Sequence, residues 1–221
     1  IEFAGAQVPR YTSYPTAVDF DASVTAETVK SWLSAIEEGE GLSIYVHIPF
    51  CRKLCWYCGC ATSVPNGYDR IASYFDVLLK EVDLWSERIG EGEVRHLHFG
   101  GGTPTMLSAE MLAELCNAIF AVAPLAKGGE FSVEIDPNEV DQARMDALAE
   151  MGMTRASIGV QDFDPEIQTV IGRIQSFETT KRAVDMIRDH GIQSLNTDIL
   201  FGLPHQTKER ITESVQKLLA L

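Results

Sequence analysis

Along most of the chain, short stretches of strict apolar–polar alternation take turns with longer segments whose apolar residues recur every three or four positions. The alternating runs are Ser43–Ile48, Val94–Phe99, Glu130–Ile135, Arg155–Val160 and Ser194–Leu200. Helical patterns lie between them, near Asp69–Ile89, Ala109–Val122, Asp141–Met151 and Thr179–His190, and a last one starts near Lys208. Ahead of them, Thr25–Glu38 reads as a helix with Val29, Trp32, Leu33 and Ile36 on one face and Gly39 as its stop. Strands that alternate with helices predict βαβ units and a parallel sheet.

The phase of the polar positions separates two architectures that share this order. In a sheet covered by helices on both faces, strands read as near-continuous apolar runs. Here Ile44, Val46 and Ile48 share one face while Tyr45 and His47 share the other. Phe131, Val133 and Ile135 oppose Glu134; Ile158 and Val160 oppose Ser157 and Gln161; Thr197 and Ile199 oppose Asn196 and Asp198. Each strand carries polar residues on one face near its C-terminal end, where barrels place their active sites. The expected fold is α/β, a partial (β/α) barrel of which this chain supplies about five units. Residues 1–43 read as an N-terminal arm and helix, and residues 44–221 as the barrel. The helical pattern still runs at Lys217–Leu221, so the chain is expected to be cut from a longer one.

Charge narrows the partners. The 221 residues hold 18 Lys plus Arg against 32 Asp plus Glu, a net charge of −14. Such a surface repels nucleic-acid phosphates and anionic lipid heads, which leaves a small molecule as the expected partner. No apolar run approaches the ~20 residues of a membrane span, and the start shows no signal-peptide pattern. Four of the five cysteines, Cys51, Cys55, Cys58 and Cys60, fall within ten residues. That clustering fits a reducing, cytoplasmic setting and a metal site rather than a disulfide framework.

Cys51, Cys55 and Cys58 follow the first strand with the spacing C-x3-C-x2-C. Three thiolates hold three irons of a 4Fe–4S cube and leave one iron open. The alternative is a zinc site that takes Cys60 as fourth ligand, although Cys58-Gly-Cys60 is tight for one tetrahedral ion. The run Gly100-Gly101-Gly102-Thr103-Pro104 suits either a plain turn or a loop that meets a ligand. Glu134, Gln161 and Asp198 end three strands on the polar face, as a satisfied polar core or as a site. Arg173 reads by default as a surface cation and Tyr45 as a packed aromatic. His47 and His98 face the same polar side, and His190 ends a helix, where a cation is favoured. Cys116 reads as a small buried residue. No G-x-S-x-G context supports a hydrolase.

The cysteine spacing resembles the signature of radical S-adenosylmethionine (SAM) enzymes, a superfamily of partial barrels. Longer strings are more specific: PRYTSYPTA (Pro9–Ala17), YVHIPFCRKLCWYCGC (Tyr45–Cys60), HFGGGTPT (His98–Thr105), SVEIDPNE (Ser132–Glu139), GVQDF (Gly159–Phe163), GRIQ (Gly172–Gln175) and TDILFGLPHQT (Thr197–Thr207). Together they resemble the oxygen-independent coproporphyrinogen III oxidase family of haem synthesis. The resemblance implies a 4Fe–4S cluster on Cys51, Cys55 and Cys58, with Cys60 outside the ligand set. It implies SAM held by Gly101, Gly102, Thr103, Glu134, Gln161, Asp198 and Arg173, the last pairing with the SAM carboxylate. Tyr45 would lie beside SAM or substrate and take part in the chemistry. The implied reaction is oxidative decarboxylation of two propionates of coproporphyrinogen III to vinyl groups, giving protoporphyrinogen IX, by a monomer with an external electron donor and acceptor. Arg10, Arg52 and Lys53 are candidates for the substrate carboxylates. A haem-chaperone-like relative and another radical SAM oxidase or methyltransferase share the scaffold.

Overall fold

Five strands form where β-branched and aromatic residues alternate with polar ones: β1 (Gly41–Ile48), β2 (Glu93–Gly101), β3 (Leu125–Ile135), β4 (Arg155–Gln161) and β5 (Ser194–Ile199). The computed structural model describes residues 16–37, 39–89 and 92–221. Arg10 and most of the PRYTSYPTA string lie outside those residues. All five strands are parallel and lie in chain order, β1-β2-β3-β4-β5. That order is what a barrel requires. Right-handed crossovers that always advance in one direction put every helix on the same face, whereas a doubly wound sheet reverses its order to cover both.

The helices are α1 (Ala26–Ser34), α2 (Tyr68–Ser86), α3 (Ala109–Val122), α4 (Gln142–Glu150), α5 (Pro165–Ile171), α6 (Phe177–Asp189) and α7 (Lys208–Leu219). Side-chain oxygens start most of them. Ser108, Asp141, Ser176 and Thr207 each accept the amide three residues on, which satisfies a donor the helix cannot. Ile48, Leu97, Phe99, Phe131, Val133 and Ile158 of the sheet pack against Ile71 and Phe75 of α2, Leu112 and Leu115 of α3, Met145 and Leu148 of α4, and Val184 and Ile187 of α6 in one core. Each such side chain contributes about 1.5–3 kcal/mol. Cys116 is part of this core, and burial pushes its thiol up to about 12. Among the described residues no helix is long and apolar enough to cross a membrane.

Two helices differ from the expectation. α1 stops at Ser34 with Ala35 as its C-cap, well short of Glu38 and Gly39. Its apolar face is only partly covered: Leu33 and Ile36 are half-buried, while Val29 and Trp32 are 41% and 59% exposed. An amphipathic helix with so little of its face packed has little to sustain its last turn. The other difference is α5, which the periodicity did not indicate. Its seven residues are too few for a helical period to show, yet its ends carry clear signals. Asp164 accepts the amides of Glu166 and Ile167, Pro165 takes the first turn, and Gly172 closes it at φ 69°.

His190 ends α6 as expected of a cation and also ties that helix to α4. Its Nδ1 lies 2.7 Å from Met186 O and its Nε2 lies 2.8 Å from Asp146 Oδ1. Gln142 Nε2 also lies 3.2 Å from Nε2, but both ring nitrogens face acceptors, an arrangement that favours the imidazolium as a double donor. The Met186 carbonyl and then Asp146 raise the His190 pKa above 6.5, and His190 lowers that of Asp146. Stabilisation by a raised histidine is complete below its unfolded pKa and fades as pH rises through the folded one. The His190→Gln protein should therefore melt closest to wild type at pH ~8.5 and fall furthest below it near pH ~5.5, two pH values that bracket the ordinary histidine range. Thermal melts at those two pH values check it, and a deficit that does not change with pH would exclude the pair.

Candidate active site at the C-terminal ends of the strands

The cysteine loop leaves β1 at Ile48 and is closed at its base. Phe50 bridges Ser63, Cys51 N donates to Ser63 O at 3.1 Å, and Ser63 N donates to Pro49 O at 3.0 Å. The far side of the loop is pinned to α5, where Trp56 N donates to Ile171 O at 3.0 Å. Gly172 is required there twice over. Its φ of 69° is left-handed, and a Cβ would collide with the Trp56 indole. The glycine run after β2 locks the loop from the third side. Gly102 N donates to Ile48 O at 2.8 Å, and a Cβ on Gly102 would lie 2.6 Å from Phe50 O. Thr62 and Thr103 hydroxyls reach the Cys51 sulfur at 3.3 and 3.5 Å. Besides lining a cavity, the glycines thus let two loops touch.

That cavity measures about 870 Å³ including its open mouth, within the range of small-molecule sites. Cys51, Cys55, Cys58 and Cys60 form one wall, Gly101, Gly102 and Thr103 a second, and Glu134, Gln161, Asp198 and Arg173 the rest. All four cysteines are free thiols. Among the described residues no three His, Cys, Asp or Glu side chains gather closely enough to hold one metal ion. Burial, and next a hydrogen bond with Cys58, push the Cys60 thiol up.

Arg173 is not a surface cation. Its side chain is 15% exposed and its Nη2 lies 3.4 Å from Asp136 Oδ2 and donates to Gly159 O at 2.9 Å. Nη1 reaches the Cys55 sulfur at 3.7 Å. Burial opposes its charge, but Asp136 and Cys55 outweigh it and raise its pKa. Its Nε is buried with no partner in the protein, a donor the chain leaves unsatisfied. Asp136 is the site residue that sequence reasoning missed. It lies two positions after Glu134, so the same alternation that selected Glu134 points to it.

Gln161 adopts φ 68°. Asp162 N donates to Val160 O at 2.9 Å across it, a three-residue turn that costs a non-glycine residue about 1–3 kcal/mol. Asp198 faces Ser157 at 3.4 Å, and Asn196 Nδ2 donates to both at 3.0 Å. Tyr45 stands apart from these. It does not line the cavity but stacks on His98 at 5.6 Å, bonds His47 Nδ1 at 3.0 Å, and has its pKa raised by burial and then by Glu134. His98 in turn lies 3.4 Å from Glu134, so Tyr45 reaches the cavity wall through one intermediary.

The Radical SAM superfamily profile matches residues 45–218. Over 217 residues the chain is 58% identical to the oxygen-independent coproporphyrinogen III oxidase of Paracoccus denitrificans (98% of this chain, 48% of that one). It is 44% identical over 222 residues to the protein of the same name from Bradyrhizobium diazoefficiens (100% and 49%). Among solved structures, the coproporphyrinogen III oxidase of Escherichia coli superposes with a TM-score of 0.89 at 34% identity (95% of this chain, 48% of that one). The chain spans about half the length of the curated relatives it matches.

Proposed function

The chain belongs to the radical SAM superfamily, and from that premise we propose that it is the cofactor-binding portion of an oxygen-independent coproporphyrinogen III oxidase. The superfamily uses a 4Fe–4S cluster and SAM, which when bound supply one-electron chemistry able to take hydrogen from a propionate β-carbon. In this reading residues 44–221 are the catalytic barrel and residues 1–43 an arm before it. The observation that carries it is the cavity wall itself: three thiolates at C-x3-C-x2-C spacing beside a buried guanidinium with an unpartnered Nε.

The residues fit the group. Cys51, Cys55 and Cys58 supply soft thiolates, the donors iron–sulfur clusters take. SAM carries a sulfonium, an ammonium and a carboxylate. Glu134, Asp136 and Asp198 give the cavity a negative wall for the two cations, and Arg173 gives it a fork of donors shaped for the carboxylate. Gln161 and Asp198 end neighbouring strands and can accept from ribose hydroxyls. Tyr45, held by His47 and His98, stands where it can orient a substrate that enters beside Glu134.

A substrate with four carboxylates needs cations at the mouth. Lys53 lines the cavity and remains a candidate. Both Glu139 oxygens hold Arg52 Nε at 2.8 and 2.7 Å, which ties the cysteine loop to the segment after β3; its side chain is still 73% exposed, and it stays a candidate too. The reaction also needs an electron donor and an acceptor, and a reducing cytoplasm suits the oxygen-sensitive cluster.

The test uses the full-length protein prepared without air. It should contain ~4 irons and ~4 sulfides per chain and, with SAM and a reductant, convert both propionates of coproporphyrinogen III to vinyls by mass spectrometry. A methylated product, or stable haem binding without decarboxylation, would replace this reading with one of the other superfamily chemistries.

A further inference from the structure

Directly behind the cavity lies a carboxylate with no cation. Asp162 is 0% exposed, and among the described residues no Lys, Arg or His stands within ion-pair distance of it; the nearby Arg210 pairs with Asp164 and Glu166 instead. Three hydrogen-bond donors meet its charge. Oδ1 accepts the Ser214 hydroxyl at 2.7 Å and the Asp164 amide at 2.9 Å, and Oδ2 accepts Gln206 Nε2 at 2.7 Å.

The direction of each bond is fixed by the next one out. Ser214 Oγ accepts the Phe163 amide at 3.0 Å, so its hydrogen is committed to Asp162. Gln206 Oε1 accepts the amides of Gly202 and Leu203 at 2.7 and 3.4 Å, so its amino group must face Asp162. The same amino group donates to Leu200 O at 3.0 Å. On the other side, Asp162 O accepts Gln168 Nε2 at 2.9 Å. Gln168 also clasps Gln175 through its amide at 3.0 Å and its carbonyl at 2.6 Å. Every chain of bonds ends on an acceptor-only group at position 162.

These bonds run to the backbone that carries the candidate SAM contacts. Asp162 is adjacent to Gln161 and closes its left-handed turn. Gln206 anchors the loop that follows Asp198 on β5. Gln168 and Gln175 bracket Arg173. None of Asp162, Gln168, Gln206 or Ser214 lines the cavity. We propose that Asp162 is a positioning residue: one buried carboxylate that registers Gln161, Arg173 and the loop after β5 against each other and so presets the SAM site. This rests on the reading of the cavity as a SAM site. It accounts for a strained turn at Gln161, which persists only where the surroundings over-determine it.

The test compares full-length wild type with Asp162→Asn. An amide there sets N–H against the Gln206 amino group or the Ser214 hydroxyl, and either clash loosens the loop. Amide hydrogen exchange of the unloaded protein over residues 200–206 should rise ~10-fold or more while β2 and α3 are unchanged. In the loaded protein the dissociation constant for SAM should rise ~10-fold with iron content kept. The swap Asp162→Asn with Gln206→Glu moves the acceptor across the pair and keeps the Gly202 and Leu203 bonds, but it turns a carboxylate oxygen toward Leu200 O, where the amino group donated at 3.0 Å, so it should recover only part of the lost affinity. Ser214→Ala removes a single donor and serves if the Asn protein does not fold; a smaller rise in both readouts is expected. Wild-type SAM affinity in Asp162→Asn, or wild-type exchange over residues 200–206 in that variant, overturns the proposal. A wild-type protein that holds its cluster and does not bind SAM overturns the reading of the cavity instead. In that case the exchange measurement still decides whether Asp162 orders the loop.

Discussion

Replacing any one of Cys51, Cys55 or Cys58 with alanine should empty the protein of iron and sulfide, whereas Cys60→Ala should keep both near wild-type content. All four cysteines share the cavity wall, so proximity alone does not separate them. The C-x3-C-x2-C spacing does, since it takes in the first three alone. Cys51 is held at the closed base of the loop and accepts from Thr62 and Thr103. Cys55 lies under Arg173, and Cys58 N donates to Cys55 O at 3.1 Å in the turn between them. Cys60 follows on the exposed return toward Thr62. A cube that loses one of three protein thiolates keeps only two anchors, and metal affinity is then lost rather than weakened. Iron and acid-labile sulfide assays on anaerobic preparations of the four variants check this. Iron loss in Cys60→Ala as complete as in Cys55→Ala would mean that four cysteines, not three, are ligands.

The loops make this site, and they were the less legible part of the chain. Strand positions followed from period-two alternation to within a residue or two, except that β3 starts at Leu125 rather than Glu130. There Gly128 and Gly129 interrupt the pattern without interrupting the strand. Glu134, Gln161 and Asp198 could be placed on one face because a strand's face depends only on parity. Arg173 could not. It sits two residues beyond a seven-residue helix, and its burial depends on Asp136 and on the Gly159 carbonyl from other units. No local pattern encodes such a contact. The Asp162 network was invisible for the same reason: its partners lie up to 52 residues away in sequence. The glycine run was legible as a loop, but its service to the cysteine loop, with Gly102 packed on Phe50, needed coordinates. The α1 face shows the converse, since its sequence has a clear apolar stripe of which no residue is fully buried.

Arg173→Ala should raise the dissociation constant for SAM ~10-fold or more and leave the cluster assembled. In the protein as it stands, Nη2 is engaged by Gly159 O and Asp136, while Nε has no acceptor although it is buried. A carboxylate that docked there would gain a charge-assisted bond worth ~1.5–3 kcal/mol, and each ~1.4 kcal/mol is tenfold in affinity. Truncation removes that bond and also leaves Asp136, 21% exposed on its side chain, facing the ligand's carboxylate with no cation between them. Two effects of the same sign therefore act at one position. Arg173→Lys separates them. A lysine keeps a positive charge near Asp136 but has no fork with which to serve Gly159 O and a carboxylate together, so its loss should fall between wild type and alanine. Asp136→Asn frees the guanidinium for the ligand but also thins the negative wall that faces the ammonium and sulfonium, two effects of opposite sign, so its change in affinity should be smaller than that of Arg173→Ala. Calorimetric titration of SAM into the cluster-loaded variants distinguishes these. Equal affinity in wild type and Arg173→Ala would remove Arg173 from the binding site and leave it as a brace between Gly159 and the cysteine loop.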